Sequence, residues 1–229
     1  MTRIGWIIFG AIVVLILGGL VVYSRITNPG IDVSNVDTNA VQVASQDNGE
    51  IADHTYGNPE SEVVLIEYGD FQCPSCAAAH PNIKSILEDY QDDILFVFRN
   101  FPITNIHPNA KAAAAAAEAA GLQGKYWEMH DMVFDNQGSW KDLSTGNRTD
   151  AFRSYAEQLG LDGERFVSDL SLANINRKIS YDMALAKKAN VDATPTFILN
   201  GEKLNQEVSS DIVRGSGDQL REVLDELVK

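Results

Sequence analysis

The sequence predicts an α/β fold: a strand–helix–strand unit, an inserted helical subdomain, then a strand hairpin and a closing helix. One transmembrane helix precedes it. Three observations carry this reading. Runs rich in β-branched and aromatic residues stand at 63–68, 94–98 and 195–199. Alanine-rich and amphipathic stretches fill the interval between the second and third of these runs. Residues 4–23 are almost wholly apolar, flanked by Arg3 and Arg25.

The N-terminal run comes first. Twenty such residues in a helix span about 30 Å, the depth of a bilayer core. A retained single-pass anchor over 1–25 is therefore expected. The rival is a cleaved signal peptide, whose apolar core is usually about 7–15 residues. The simpler orientation keeps the short tail inside and exports the large domain, although the charge asymmetry is slight. Residues 26–57 are rich in Asn, Asp, Ser, Thr and Gly and read as a flexible linker, part of which can still add an edge strand or short helix.

The domain is expected over 58–229. After the first strand, a helix should open at Cys73, with Pro74 in its first turn and Pro81 kinking it. The strand at 94–98 completes a parallel crossover unit. The inserted helical block runs from about 108 to 189, with helices at 110–120, 125–134, 150–159, 163–170 and 173–189. Strand patterning returns at Pro195, and Asn200-Gly201 is a strong hairpin signal. A polar second strand is expected over 202–208. The closing helix over 216–228 takes Ser216 as its N-cap.

Bulk properties exclude some functions. The chain has 229 residues, 45% of them hydrophobic, and a formal net charge of −14, which argues against nucleic-acid binding. Its two cysteines form one close pair, Cys73-Pro74-Ser75-Cys76, unlike the widely spaced cysteines of a disulfide-stapled secreted domain. Two thiols one helical turn apart, at a helix start, can join and part, which makes them a redox motif. His80 stands four residues after Cys76, but no fourth ligand accompanies the three residues. Neither metal nor cofactor is expected.

Glu67-Tyr68-Gly69-Asp70-Phe71-Gln72-Cys73-Pro74-Ser75-Cys76 resembles the active-site segment of DsbA-like thiol-disulfide oxidoreductases. His107-Pro108-Asn109-Ala110 and Gln123-Gly124-Lys125-Tyr126-Trp127-Glu128-Met129-His130-Asp131 resemble the helical insertion of the membrane-tethered, Gram-positive-type branch. Ala193-Thr194-Pro195-Thr196-Phe197 is similar to the family's cis-proline loop. The resemblance implies a thioredoxin fold with an inserted helical subdomain, matching the element order read above. It also implies unfolded or reduced exported proteins as substrates and a membrane quinone-linked thiol oxidase as redox partner.

Within that frame Cys73 is the expected nucleophile, its thiolate favoured by the helix N-terminus. Cys76 is the resolving thiol. Pro74 preorganises the first turn, and Ser75 offers a hydroxyl to the thiolate. Ser75 lacks the imidazolium that the family's strongest oxidants place here, so an oxidant of intermediate strength is expected. A cis Pro195 would leave the Thr194 backbone open to an extended substrate strand. Glu67 would be a buried carboxylate relaying a proton to the resolving thiol, with Asp70 a weaker candidate. His107, His130 and Trp127 read as packing or capping residues. The expected role is extracytoplasmic disulfide formation. The alternatives are a reductase or isomerase of the same fold and a peptide-binding holdase with incidental thiols.

Overall fold

The structure is a computed structural model and describes residues 3–27 and 30–229. The chain divides into two units, Met1–Asp32 and Val33–Lys229. The first holds helix α1 (Arg3–Thr27), on which Trp6, Phe9, Leu15 and Leu17 are exposed. Among the described residues, no helix is long and apolar enough to cross a membrane.

The second unit is built on a five-stranded sheet of order β1-β3-β2-β4-β5. Its strands are β1 (His54–Gly57), β2 (Val64–Gly69), β3 (Leu95–Asn100), β4 (Thr196–Leu199) and β5 (Glu202–Lys203). β2 and β3 run parallel, from Val64 opposite Leu95 to Gly69 opposite Asn100. β1, β4 and β5 each pair antiparallel with their neighbour. Every residue of β3 is buried, and β2 is buried beyond Val64, which is why both strands read as continuous apolar runs. Helix α2 (Pro74–Asp89) links them and passes through Pro81 unbroken.

The inserted subdomain comprises α3 (Ala110–Gly121), α4 (Tyr126–Asp135), the single turn α5 (Gln137–Trp140), α6 (Thr145–Gln158), α7 (Gly163–Asp169) and α8 (Ala173–Lys188). The alanines of α3 are almost all buried, and their small side chains let α4, α7 and α8 pack close around it. The chain then returns to the sheet and ends in α9 (Gln206–Arg214), packed on α2, and α10 (Asp218–Leu227), packed on α9.

Three expectations need correction. The linker expected over 26–57 is a linker only in part, because residues from Val33 onward belong to the compact unit. The carbonyls of Thr38 and Ala40 accept from the buried Arg99 guanidinium at 2.5 and 2.7 Å, and Asp53 pairs with it at 2.8 Å. β1 then lies on the β3 edge of the sheet. The polar strand expected over 202–208 stops at Lys203 and gives way to α9. There the Asn205 side chain accepts from the Val208 N–H, and Val208 and Ile212 bury one face. Finally, Ser216 does not cap α10. The cap position is Gly217, with φ of 75°, and the Asp211 carboxylate, from α9, accepts from the Gln219 N–H in the first turn at 3.0 Å.

Candidate active site

Parallel strands present their C-terminal ends on one edge of the sheet, and here β2 delivers the chain straight into α2. Cys73 occupies the N-cap position of α2 with extended backbone angles, and its N–H donates to the Asp70 carbonyl at 2.9 Å. Pro74 follows at N1, where its missing N–H costs no helical bond. Pro74 and Ser75 are exposed, whereas Cys73 is 6% and Cys76 0% exposed. Both cysteines are in the thiol state.

The two sulfurs sit in different electrostatic settings. A hydrogen bond from the Cys76 thiol pulls the Cys73 pKa down to about 5, against the opposing effect of burial. The Cys76 and Ser75 backbone N–H groups help, so Ser75 acts through its main chain rather than its hydroxyl. Cys76 is pushed well above the ordinary thiol value, first by burial, then by its hydrogen bond to Cys73 and the charges of Glu67 and Cys73. One thiol is poised as an anion and its neighbour is held protonated.

Across from the thiols lies the loop before β4. The Thr194–Pro195 bond is cis, and the Thr194 carbonyl lies 3.4 Å from the Cys73 sulfur, which donates to it only when protonated. Both residues are half-buried. Glu67 sits on central strand β2 between Phe98 and Phe197 and is 4% exposed. Burial raises its pKa to about 8, with a further push from the Cys73 charge, so the carboxyl is a neutral acid at physiological pH. Gly69 leaves room here: a Cβ on it would lie 2.3 Å from the Phe98 ring and 3.2 Å from a Glu67 carboxyl oxygen.

Residues 50–216 match the thioredoxin family, which covers more than half of the chain. The chain belongs to the thioredoxin family. A Na(+)/H(+) antiporter NhaA 1 from Salinispora arenicola is 40% identical over 151 residues, 66% of this chain and 22% of that protein. The chain thus spans about a fifth of the length of the curated relatives it matches. Among solved structures, α-DsbA1 from Wolbachia pipientis is 26% identical with a TM-score of 0.63, covering 77% of this chain and 90% of that one. A thioredoxin-like oxidoreductase from Silicibacter pomeroyi is 27% identical with a TM-score of 0.57, covering 74% and 92%.

This thioredoxin-family site is braced by residues that the sequence reading passed over. The Gln137 side chain, on α5, donates to the carbonyls of Phe71 and Cys73 at 2.8 and 3.0 Å. Gln72 donates to the Lys141 carbonyl and accepts from the Asn109 N–H at 2.6 Å. The inserted helices therefore grip the cysteine loop. No local pattern announces Gln137, because its partners lie more than sixty residues earlier. Asp70, a candidate proton carrier by sequence, is instead saturated, accepting from the Gln72 and Ile103 N–H groups and bonding His107 at 2.7 Å. Its own N–H donates to the Cys76 sulfur at 3.5 Å. Trp127 donates its indole N–H to the Thr55 carbonyl and anchors β1.

Proposed function

We propose that the chain is an extracytoplasmic protein thiol-disulfide oxidoreductase that oxidises exported proteins through Cys73 and Cys76. The observation that carries this is the split between the two thiols, one pulled down to about 5 and the other raised by burial. A stable Cys73 thiolate favours the reduced form and is a good leaving group, so the disulfide is an oxidant. Two solved structures above 25% identity, whose descriptions name a DsbA and a thioredoxin-like oxidoreductase, support the same class.

In the forward reaction, a substrate thiolate attacks the Cys73 sulfur of the oxidised pair. A substrate–Cys73 disulfide forms, the Cys73–Cys76 bond breaks, and the Cys76 thiolate leaves. Glu67, a neutral acid near enough to Cys76 that its ionised form would raise that thiol further, is placed to supply the proton that Cys76 takes up. A second substrate thiolate then attacks the substrate sulfur of the mixed disulfide, and Cys73 leaves as thiolate. The oxidised substrate departs, and two electrons remain on the reduced pair. Reoxidation passes those electrons to a membrane quinone-linked thiol oxidase. The Thr194 main chain, beside the Cys73 sulfur, offers the substrate segment an edge to lie along.

The anchor belongs to the same proposal. The apolar, uncharged run at 4–23 lies within the 25-residue helix α1, on which large apolar side chains are exposed. That composition and the need for a compartment where disulfides persist support single-pass anchoring in the cell membrane, with the thiol domain outside.

Cys73→Ser should abolish oxidation of a reduced test protein while leaving peptide binding intact. Cys76→Ser should accumulate a mixed disulfide through Cys73. Full biological activity of Cys73→Ser would instead support the holdase. A reduction potential as negative as that of thioredoxin, about −270 mV, would support the reductase.

A further inference from the structure

Away from the thiols, α2 and α4 bring four ligating side chains together. His80, one turn after Cys76 on α2, and His130 on α4 are 6% and 5% exposed. Their rings lie 5.4 Å apart, and the Nε2 atom of each is buried without a hydrogen-bond partner. Aromatic packing explains where these rings sit, since His130 contacts Phe71, Phe98 and Phe134. It does not account for their unpaired nitrogens: His130 Nδ1 pairs with Asp131 Oδ1 at 3.1 Å, but the two Nε2 atoms are left over, and a buried polar atom normally finds a partner.

The carboxylates complete the arrangement. Among the described residues, one ligating atom from each of His80, His130 and Asp131 lies within 4.8 Å of the others. His80 Nε2 stands 3.7 Å from Asp131 Oδ1 and 3.6 Å from Asp135 Oδ1. Both distances are too long for hydrogen bonds. They are near the separation of about 3.3 Å that two ligands adopt around one tetrahedral zinc ion with bonds of about 2.0–2.1 Å. Asp131 is held from the solvent side through its other oxygen, Oδ2, by Lys84 at 2.6 Å, which fixes the carboxylate as an outer partner does in metal sites.

We propose that His80, His130 and Asp131, with Asp135 at the mouth, form a binding site for a divalent first-row transition ion of the zinc type. Imidazole and carboxylate donors suit such ions rather than calcium or magnesium. The cavity lined by His80, His130 and Asp131 has a volume of about 60 Å³, room for an ion and a water. Asp135 is 62% exposed, so an ion reaches the site without unfolding. The site is distinct from the Cys73–Cys76–His80 set weighed from the sequence, and it revises the expectation of no metal.

The test titrates the full chain in detergent with Co²⁺, then Zn²⁺, after the cysteines have been oxidised to remove thiolate ligands. One equivalent of Co²⁺ should bind, with visible absorption bands that one equivalent of Zn²⁺ abolishes. His80→Asn should weaken Zn²⁺ binding about 100-fold, and Asp135→Asn, at an exposed position with no role in packing, about 10-fold. Failure of the oxidised chain to bind one equivalent overturns the proposal whether or not the His80 variant folds. Unchanged affinity in both variants overturns it too, as does binding seen only in the reduced chain and lost in Cys73→Ser.

Discussion

Glu67 and Cys73 titrate against each other, because the charge of one raises the cost of charging the other. Glu67 is neutral in the folded protein up to about pH 8 and ionises near its ordinary 4.5 when unfolded. Across that window the native state binds more protons, so this residue's contribution to stability falls as pH rises. Glu67→Gln removes the dependence. Its melting temperature should gain on the wild type from pH 5 to pH 8 by several degrees, at roughly 2–4 °C per kcal/mol. The variant should at the same time slow substrate oxidation by up to about 10²-fold, measured as stopped-flow loss of tryptophan fluorescence or thiol release. A pH-independent difference in melting temperature would show that Glu67 ionises normally. Residues of this kind are legible in sequence because a carboxylate in an apolar strand and two thiols at a helix start are local anomalies. Gln137 and the His80–His130 pair are not, since an ordinary polar residue gains its role only from partners brought in by the fold.

At the scale of elements, α9 shows where periodicity misleads. Residues 202–208 carry enough polar alternation to read as a strand, yet Asn205 bonds the N–H three residues on, and Val208 and Ile212 fall four apart on the buried face. The local cap and the tertiary cover together outweigh the strand pattern. Asn205→Ala should cost about 1 kcal/mol, read as a shift in urea midpoint with unchanged slope. No shift would mean that packing on α2 alone holds α9. The elements that did emerge from the sequence, β2, α2, β3, α3, α4, α6, α7, α8, β4 and α10, have strong internal period or composition. α5, one turn long, and β1, of four residues, offer too little pattern to detect.

For the whole molecule, the compact unit is closed by charge as well as by apolar packing. Asp53 bridges Arg99 at 2.8 Å and Lys178 at 2.9 Å, and Lys178 also holds Asp182 at 2.6 Å, all without solvent exposure. This cluster joins the segment before β1 to β3 and α8, so a boundary drawn at residue 58 cuts through it. Deleting residues 1–32 should leave the melting temperature of the remainder unchanged. Deleting residues 1–57 strands the buried Arg99 guanidinium, leaves Lys178 with Asp182 alone, and should cost at least about 3–5 kcal/mol, or prevent folding. Thermal unfolding of the two truncations checks this, and equal stabilities would show that the cluster contributes nothing.

The unequal acidities of the two thiols also fix how many protons accompany each pair of electrons. Above about pH 5, reducing the disulfide leaves Cys73 as thiolate and protonates Cys76 alone, a two-electron, one-proton couple. Its midpoint potential should fall by about 30 mV per pH unit between pH 5 and 7 and by about 59 mV per unit below pH 5, where both sulfurs take a proton. The oxidising power of the protein would then vary only half as steeply with the acidity around it as that of a couple whose thiols both protonate.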